Sequence, residues 1–246
     1  MGLEPRIHTP SLEAIHRYHD GTKHHFQNFA RSLGYLDWAS QPRPFRAFAG
    51  ADPFPLYPSV STGPYAPLPT TYGQLFSSQV AAEPPAEPSA EPMSAAAVGD
   101  ILRHALGLSA WKQYGASRWS LRVNPSSGNL HPTEAYIVCG TLSGLAGTPA
   151  VYHYAADRHA LERRCAFGQD VWATACAGRR DVLLVALTSI HWREAWKYGE
   201  RAFRYCQHDL GHAIAAVGFA SALVGWRATM LPAWSHASIA TLTGID

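Results

Sequence analysis

The spacing of apolar and polar positions predicts both helices and strands. After Ser94, a residue suited to cap a helix start, Val98, Ile101, Leu102, Ala105 and Leu106 recur at helical intervals and predict a helix over Ala95–Leu108. Upstream, Ser11 is placed to cap a helix running to about Leu33, with Ile15, Tyr18, Phe26 and Phe29 as a scattered apolar face and Gly21 as a point where it can divide. Short apolar runs bounded by turn residues predict strands over Glu134–Gly140, Ala150–Tyr154 and, past a turn at Asp157–His159, Ala160–Arg163. Asp181–Ile190 is apolar on both faces, the pattern of a central strand. Further helices are predicted over Gly168–Ala177, Trp192–Tyr205 and Gln207–Val224, the last built almost wholly of small or apolar residues. Gly225–Thr229 reads as a short strand, and Ser235 caps a final helix to Thr243. The class is α+β, with antiparallel and mixed pairings both open.

The first third of the chain is patterned differently. Gln41–Thr71 is dense in proline, glycine and aromatic residues, which argues against regular elements there and for an arm lying on the body. Ala81–Pro92 is acidic and of low complexity, as in an extended linker. The expected organisation is an arm over residues 1–80, a linker over 81–92 and a folded domain over 93–246.

Composition narrows the class. The chain has 246 residues, 47 % of them hydrophobic, and a net charge of +2, so a large core is feasible and neither nucleic acid nor a membrane surface is an expected partner. Cys139, Cys165, Cys176 and Cys206 form no C-x-x-C pair. Three of them lie in apolar runs and read as buried free thiols, which fits a reducing cytoplasm. Met1–Arg6 has no apolar core of a signal peptide, and the longest apolar run, Ala213–Trp226, is too short to span a bilayer. His16, His19, His24 and His25 lack a carboxylate or cysteine shell at familiar spacing, so no metal is expected.

Three stretches carry candidate chemistry. Asn124–Pro132, a Ser/Gly/Asn turn between two extended segments, offers backbone N–H groups to a flat or anionic ligand; an ordinary turn before a buried strand explains it equally well on composition alone. If Ser117–Val123 is extended, Arg118, Ser120 and Arg122 share one face and suit a phosphate, the alternative being a charged sheet edge. Lys197-Tyr198 lies on a helix with Arg193 and Arg201 one turn to either side. On pattern alone a solvated helix face is the favoured explanation of the pair, and a lysine there acts as a base only if burial or cations such as these two lower its pKa.

The run Pro125-Ser126-Ser127-Gly128-Asn129-Leu130-His131-Pro132 followed by a hydrophobic strand resembles the flavin loop of the nitroreductase superfamily. Together with Trp196-Lys197-Tyr198-Gly199-Glu200-Arg201 and Asp209-Leu210-Gly211-His212, it looks most like the SagB/ThcOx-type dehydrogenases. The resemblance implies a nitroreductase-like fold with a central mixed or antiparallel sheet flanked by helices. It implies bound FMN, an azoline ring of a peptide as substrate, and Lys197 and Tyr198 as catalytic base and orienting phenol. Pro125, Ser126, Ser127 and Asn129, with Arg118, Ser120 and Arg122, become expected cofactor contacts. So do the backbone groups of Leu231 and Ala233, because Pro232 between them has no N–H to offer a flavin. The resemblance further implies that the small-residue helix forms a homodimer interface or pairs with a second nitroreductase-like half. Two departures stand out: the superfamily's Arg-Arg-Ser-x-Arg motif is missing, and the chain stops at Asp246 without the usual further strand, as in the first half of longer members, a split subunit or a degenerate paralogue. An NAD(P)H-dependent nitro or quinone reductase and a non-catalytic scaffold are the alternative functions.

Overall fold

The computed structural model describes residues 11–56, 90–145, 147–179 and 181–245. The predicted linker lies outside them up to residue 89, as does the proline-rich stretch from residue 57. Strand β1 is Pro53–Pro55, β2 Leu108–Tyr114, β3 Ser117–Arg122, β4 Thr133–Cys139, β5 Ala150–Ala155, β6 Ala160–Ala166 and β7 Leu183–Ser189. Helix α1 is Leu12–Thr22, α2 Ala95–Leu106, α3 Gln169–Ala175, α4 His191–Tyr198, α5 Ala202–Leu223 and α6 His236–Thr243. Five strands form one antiparallel sheet in the order β1-β6-β5-β4-β7, and β2 and β3 form a separate hairpin. The α+β expectation holds.

All seven residues of β4 are buried, and their alternation serves two cores. Ala135, Ile137 and Cys139 pack with Val98, Leu102 and Leu106 of α2 and Ala213 and Val217 of α5. Tyr136 and Val138 face the other way, against Trp172 of α3, with Ile239 and Leu242 of α6 beside them. Truncating a side chain such as Leu102, wholly buried, carries a cost of about 2–5 kcal/mol.

The Asp181–Ile190 run is therefore not central; β4 and β5 are the inner strands buried along their whole length. Among the described strands β7 pairs only with β4 and stands at the sheet edge. Its apolar residues are explained by a cavity of about 1040 Å³ between β7, α5 and the segment before α6, lined by Leu183, Leu187, Leu210, Ile214 and Leu231 among others. β4 reads as less apolar because it carries Glu134, whose burial the sequence pattern does not reveal.

Several boundaries also differ. Helix α1, capped by Ser11 as expected, ends at Thr22, not near Leu33, and Thr22 Oγ donates to the Tyr18 carbonyl. The predicted Trp192–Tyr205 helix stops at Gly199, whose φ of 54° and ψ of −126° favour glycine; a short 3-10 turn over Gly199–Arg201 leads into α5. Gly225–Thr229 is coil, not strand. β2 was unforeseen. So was the three-residue β1 in the proline-rich stretch, which sits on the edge where a missing N–H is tolerated. Cys139 and Cys206 are buried, but Cys165 is exposed on β6 and Cys176 is half-buried at the end of α3, so two thiols are buried, not three.

A charged row crosses the sheet. Arg193 of α4 donates to Glu134 Oε1 at 2.6 Å; Glu134 Oε2 meets His153 Nε2 at 2.8 Å; His153 Nδ1 meets Glu162 Oε2 at 2.8 Å; and Arg158 donates to Glu162. Burial by itself would raise the Glu134 pKa, but the His153 hydrogen bond and the Arg193 and Arg122 charges hold it below the usual range. Phe48 of the arm lies edge-on to the His153 ring at 5.0 Å. Removing Arg193 leaves a buried carboxylate without its cation. Arg193→Met is therefore expected to lower unfolding stability by about 3–5 kcal/mol, read from urea denaturation at neutral pH.

Candidate active site

Ser126–His131 makes an unusual turn. Gly128, Asn129 and His131 all have positive φ (64°, 57° and 49°), and only the first is free of the steric cost. Such a conformation persists only where its surroundings enforce it. The enforcement here comes from three sides. Asp209 of α5, 1 % exposed, accepts from the Ser127 N–H at 3.2 Å and from the Ser127 hydroxyl at 3.4 Å. The Ser126 hydroxyl accepts from the His131 N–H at 2.8 Å. Arg193 donates to the His131 carbonyl at 2.6 Å, so the ion pair that anchors α4 also holds the end of the loop.

The turn meets Lys197 and Tyr198. A Cβ built on Gly128 would lie 2.6 Å from the Tyr198 hydroxyl, 2.9 Å from Lys197 Nζ and 3.1 Å from Lys197 Cδ. The Ser126–Asn129 turn and the Lys197 amine therefore share one site. Both side chains are half-buried at the corner where α4 ends, and Gly128 itself is exposed. Tyr198 is surrounded: Lys197 Nζ lies 5.6 Å and Arg201 Cζ 5.4 Å from its ring centroid, and the Tyr205 ring 4.4 Å away. Burial, then Glu194 and Tyr205, raise the phenol's pKa against the Arg201 charge, so Tyr198 is a neutral hydrogen-bonding group at physiological pH.

The neighbours of Lys197 are not those expected. Arg193 is turned inward to Glu134, and Arg201 donates to His24 Nε2 at 2.8 Å and to the Tyr205 hydroxyl at 3.2 Å. The group one turn away is Glu194, fully buried, with neither carboxyl oxygen hydrogen-bonded among the described residues. Burial and the Asp209 charge push its pKa up to about 8, against the pull of Lys197. Sequence reasoning missed Glu194 and the holding role of Asp209. The signal for Asp209 was a lone carboxylate in an otherwise small and apolar helix.

The other expected cofactor residues divide. Pro125 is exposed, and Ser126, Ser127 and Asn129 are half-buried on the turn. Arg118, Ser120 and Arg122, on one strand as expected, meet different partners. Ser120 is buried with its hydroxyl 3.2 Å from His131 Nε2, and Arg122 donates to the Thr133 carbonyl at 3.1 Å with its guanidinium 5.6 Å from the Phe45 ring centroid. Arg118 is exposed, 4.4 Å from the Trp111 ring centroid. The hairpin with β2 turns Ser120 and Arg122 under the loop, as bracing. Burial, then the Arg122 charge, lower the His131 pKa to about 3, so its ring stays neutral beneath the turn and stacks on Phe45. Leu231 borders the apolar cavity, and Ala233 is exposed just beyond it.

The arm supports the corner from behind. The Tyr18 hydroxyl donates to the Glu200 carbonyl at 2.8 Å, Arg204 donates to the His19 carbonyl and the Thr22 hydroxyl, Trp38 packs edge-on to Trp196, and Leu33 fills the space where a Gly199 Cβ would stand.

No protein-family model and no curated protein matches the chain. Among solved structures it resembles a protein of Anabaena variabilis put forward as a nitroreductase, with a TM-score of 0.69 and 26 % identity over 94 % of this chain. It also resembles a chain of the Escherichia coli microcin synthetase McbBCD complex with truncated pro-MccB17 bound, with a TM-score of 0.50 and 19 % identity over 63 % of this chain. The chain spans 43 % of the first protein's length and 59 % of the second's. It has the nitroreductase-superfamily fold, an oxidoreductase-like architecture.

Gly128→Ala is expected to push Lys197 and Tyr198 off the turn and to lower stability by about 1–2 kcal/mol, the cost of a left-handed backbone at a residue with Cβ. Thermal unfolding measures the loss, and a changed tyrosine fluorescence around the Tyr198–Tyr205 pair reports the displacement.

Proposed function

We propose that the chain is an FMN-dependent oxidoreductase of the SagB/ThcOx type, which removes a hydride and a proton from an azoline ring of a peptide to leave the aromatic azole. The observation that supports this most is the contact of the Lys197 amine and the Tyr198 hydroxyl with the exposed Gly128 of the Pro125–Asn129 turn. Proteins of this fold generally bind flavin. The residues present suit it: small side chains along the turn, and orphaned polar atoms on the buried Asn124 and His131 behind it. Pro125–Asn129 would hold the ring and Arg118 the phosphate, with Ser120 and Arg122 bracing from below.

Bound FMN supplies the two-electron acceptor. The chain supplies the rest. Lys197 Nζ takes the ring proton, and the neutral Tyr198 hydroxyl donates a hydrogen bond that fixes the ring against the turn. The exposed small-residue face of α5, with Gly211, Ala215 and Ala222, supports pairing with a second copy or a second nitroreductase-like half.

The purified protein is expected to be yellow and to release non-covalent FMN on denaturation. Lys197→Ala should keep the flavin absorbance and lose azole formation by at least roughly 100-fold, followed by mass spectrometry of an azoline-bearing peptide. Full turnover in that variant, or a colourless protein indifferent to added FMN, refutes the reading. Rapid oxidation of NAD(P)H with nitroaromatic turnover would instead identify a nitro or quinone reductase.

A further inference from the structure

Among the described residues, Glu194 is the one fully buried carboxyl near the site that serves no visible structural bond. Glu134 and Glu162 are tied into the charged row, and Asp209 holds Ser127. Both Glu194 oxygens lack hydrogen-bond partners among the described residues. A buried polar group left unsatisfied is destabilising, more so if charged, so its retention calls for a reason. Its place supplies one. On α4, Lys197 and Tyr198 follow at the i+3 and i+4 positions, the two that lie beside it on the helix surface. From α5 it is faced by Asp209 and by Cys206, whose thiol burial pushes up to about 12 and so keeps neutral.

We propose that Glu194 is the proton store of the site, receiving from Lys197 the proton that the lysine takes from the substrate. This rests on the oxidoreductase reading above. In the balance, the ring loses a hydride to the bound flavin, which is the oxidant, and a proton to the Lys197 amine. The ammonium N–H then breaks as an O–H forms on the Glu194 carboxylate, restoring the amine. The four-carbon stem of lysine allows Nζ to move between the turn and the carboxyl. Transfer in both directions is easiest where the carboxyl titrates near the working pH, and a value of about 8 meets that condition.

The assignment has a readout that needs neither flavin nor substrate. Infrared spectra of the full chain from pH 5 to pH 10 should show a buried protonated-carboxyl band with a midpoint near pH 8. It should vanish in Glu194→Gln and shift to higher pH in Lys197→Met, which removes the charge that holds it down. A band that survives Glu194→Gln, or a midpoint unmoved by Lys197→Met, overturns the proposal. Should Lys197→Met fail to fold, stability against pH decides. A carboxyl raised from 4.5 to about 8 keeps its proton in the folded state after the unfolded chain has lost it. Wild-type stability should therefore fall as pH rises across that interval and fall less in Glu194→Gln; equal slopes refute the assignment. In turnover, Glu194→Gln should lower kcat by roughly 10- to 100-fold with KM and flavin content unchanged. A coupled midpoint in a colourless, inactive chain would sink the flavin reading alone, whereas an uncoupled midpoint in a yellow, active one would sink the role of Glu194 alone.

Discussion

The guanidinium of Arg193 joins parts of the molecule that sequence separates widely. It is buried, and its two short hydrogen bonds reach the carboxylate of Glu134 on the inner strand β4 and the carbonyl of His131 at the end of the turn. Through Glu134 it is continuous with His153 and Glu162, so α4, the loop and three strands share one electrostatic chain. In a dry interior such a chain persists only if every member keeps its partner. The position of the α4 corner, and of the amine and phenol it carries, is thus set by the sheet and not by the loose surface of a helix.

The turn is fixed twice over, which its backbone requires. Two residues other than glycine at positive φ would relax if the chain were free. Asp209 holds one end from α5, and Arg193 holds the other from α4. The two helices meet at Gly199 and form a cup around the Ser126–Asn129 segment. The same α5 presents Leu210 and Ile214 to the apolar cavity beside β7, so one helix serves a polar site on one side and an apolar cavity on another.

Much of the fold was legible because it rests on periodicity. The α2 helix, the strands β4, β5 and β6 and the cap of α6 follow from apolar spacing and from Ser94 and Ser235. The rank of the strands was not legible. Glu134, Thr133 and His153 make the inner strands look more polar than they are, since the pairing that permits their burial is non-local. β7 looks central because it borders a cavity. Of the candidate site, the loop and the Lys-Tyr pair were visible through resemblance, and the structure brings them together. The direction of Arg193, Ser120 and Arg122 was not visible, because a side chain's partner depends on which element packs over it. Glu194 escaped notice because a glutamate one turn before a lysine reads as an ordinary helix-surface pair.

The packing of residues 11–56 has a consequence for how the protein is handled. Leu33 occupies the gap at Gly199, His24 steadies Arg201, and Tyr18 ties down the Glu200 carbonyl. A chain trimmed to start at Met93 would retain the strands from β4 to β7 but lose β1 from the sheet and Leu56 and Phe48 from beside the two cores. It would lose the scaffolding behind the amine and the phenol. Cutting there would remove side chains that hold the candidate site in place.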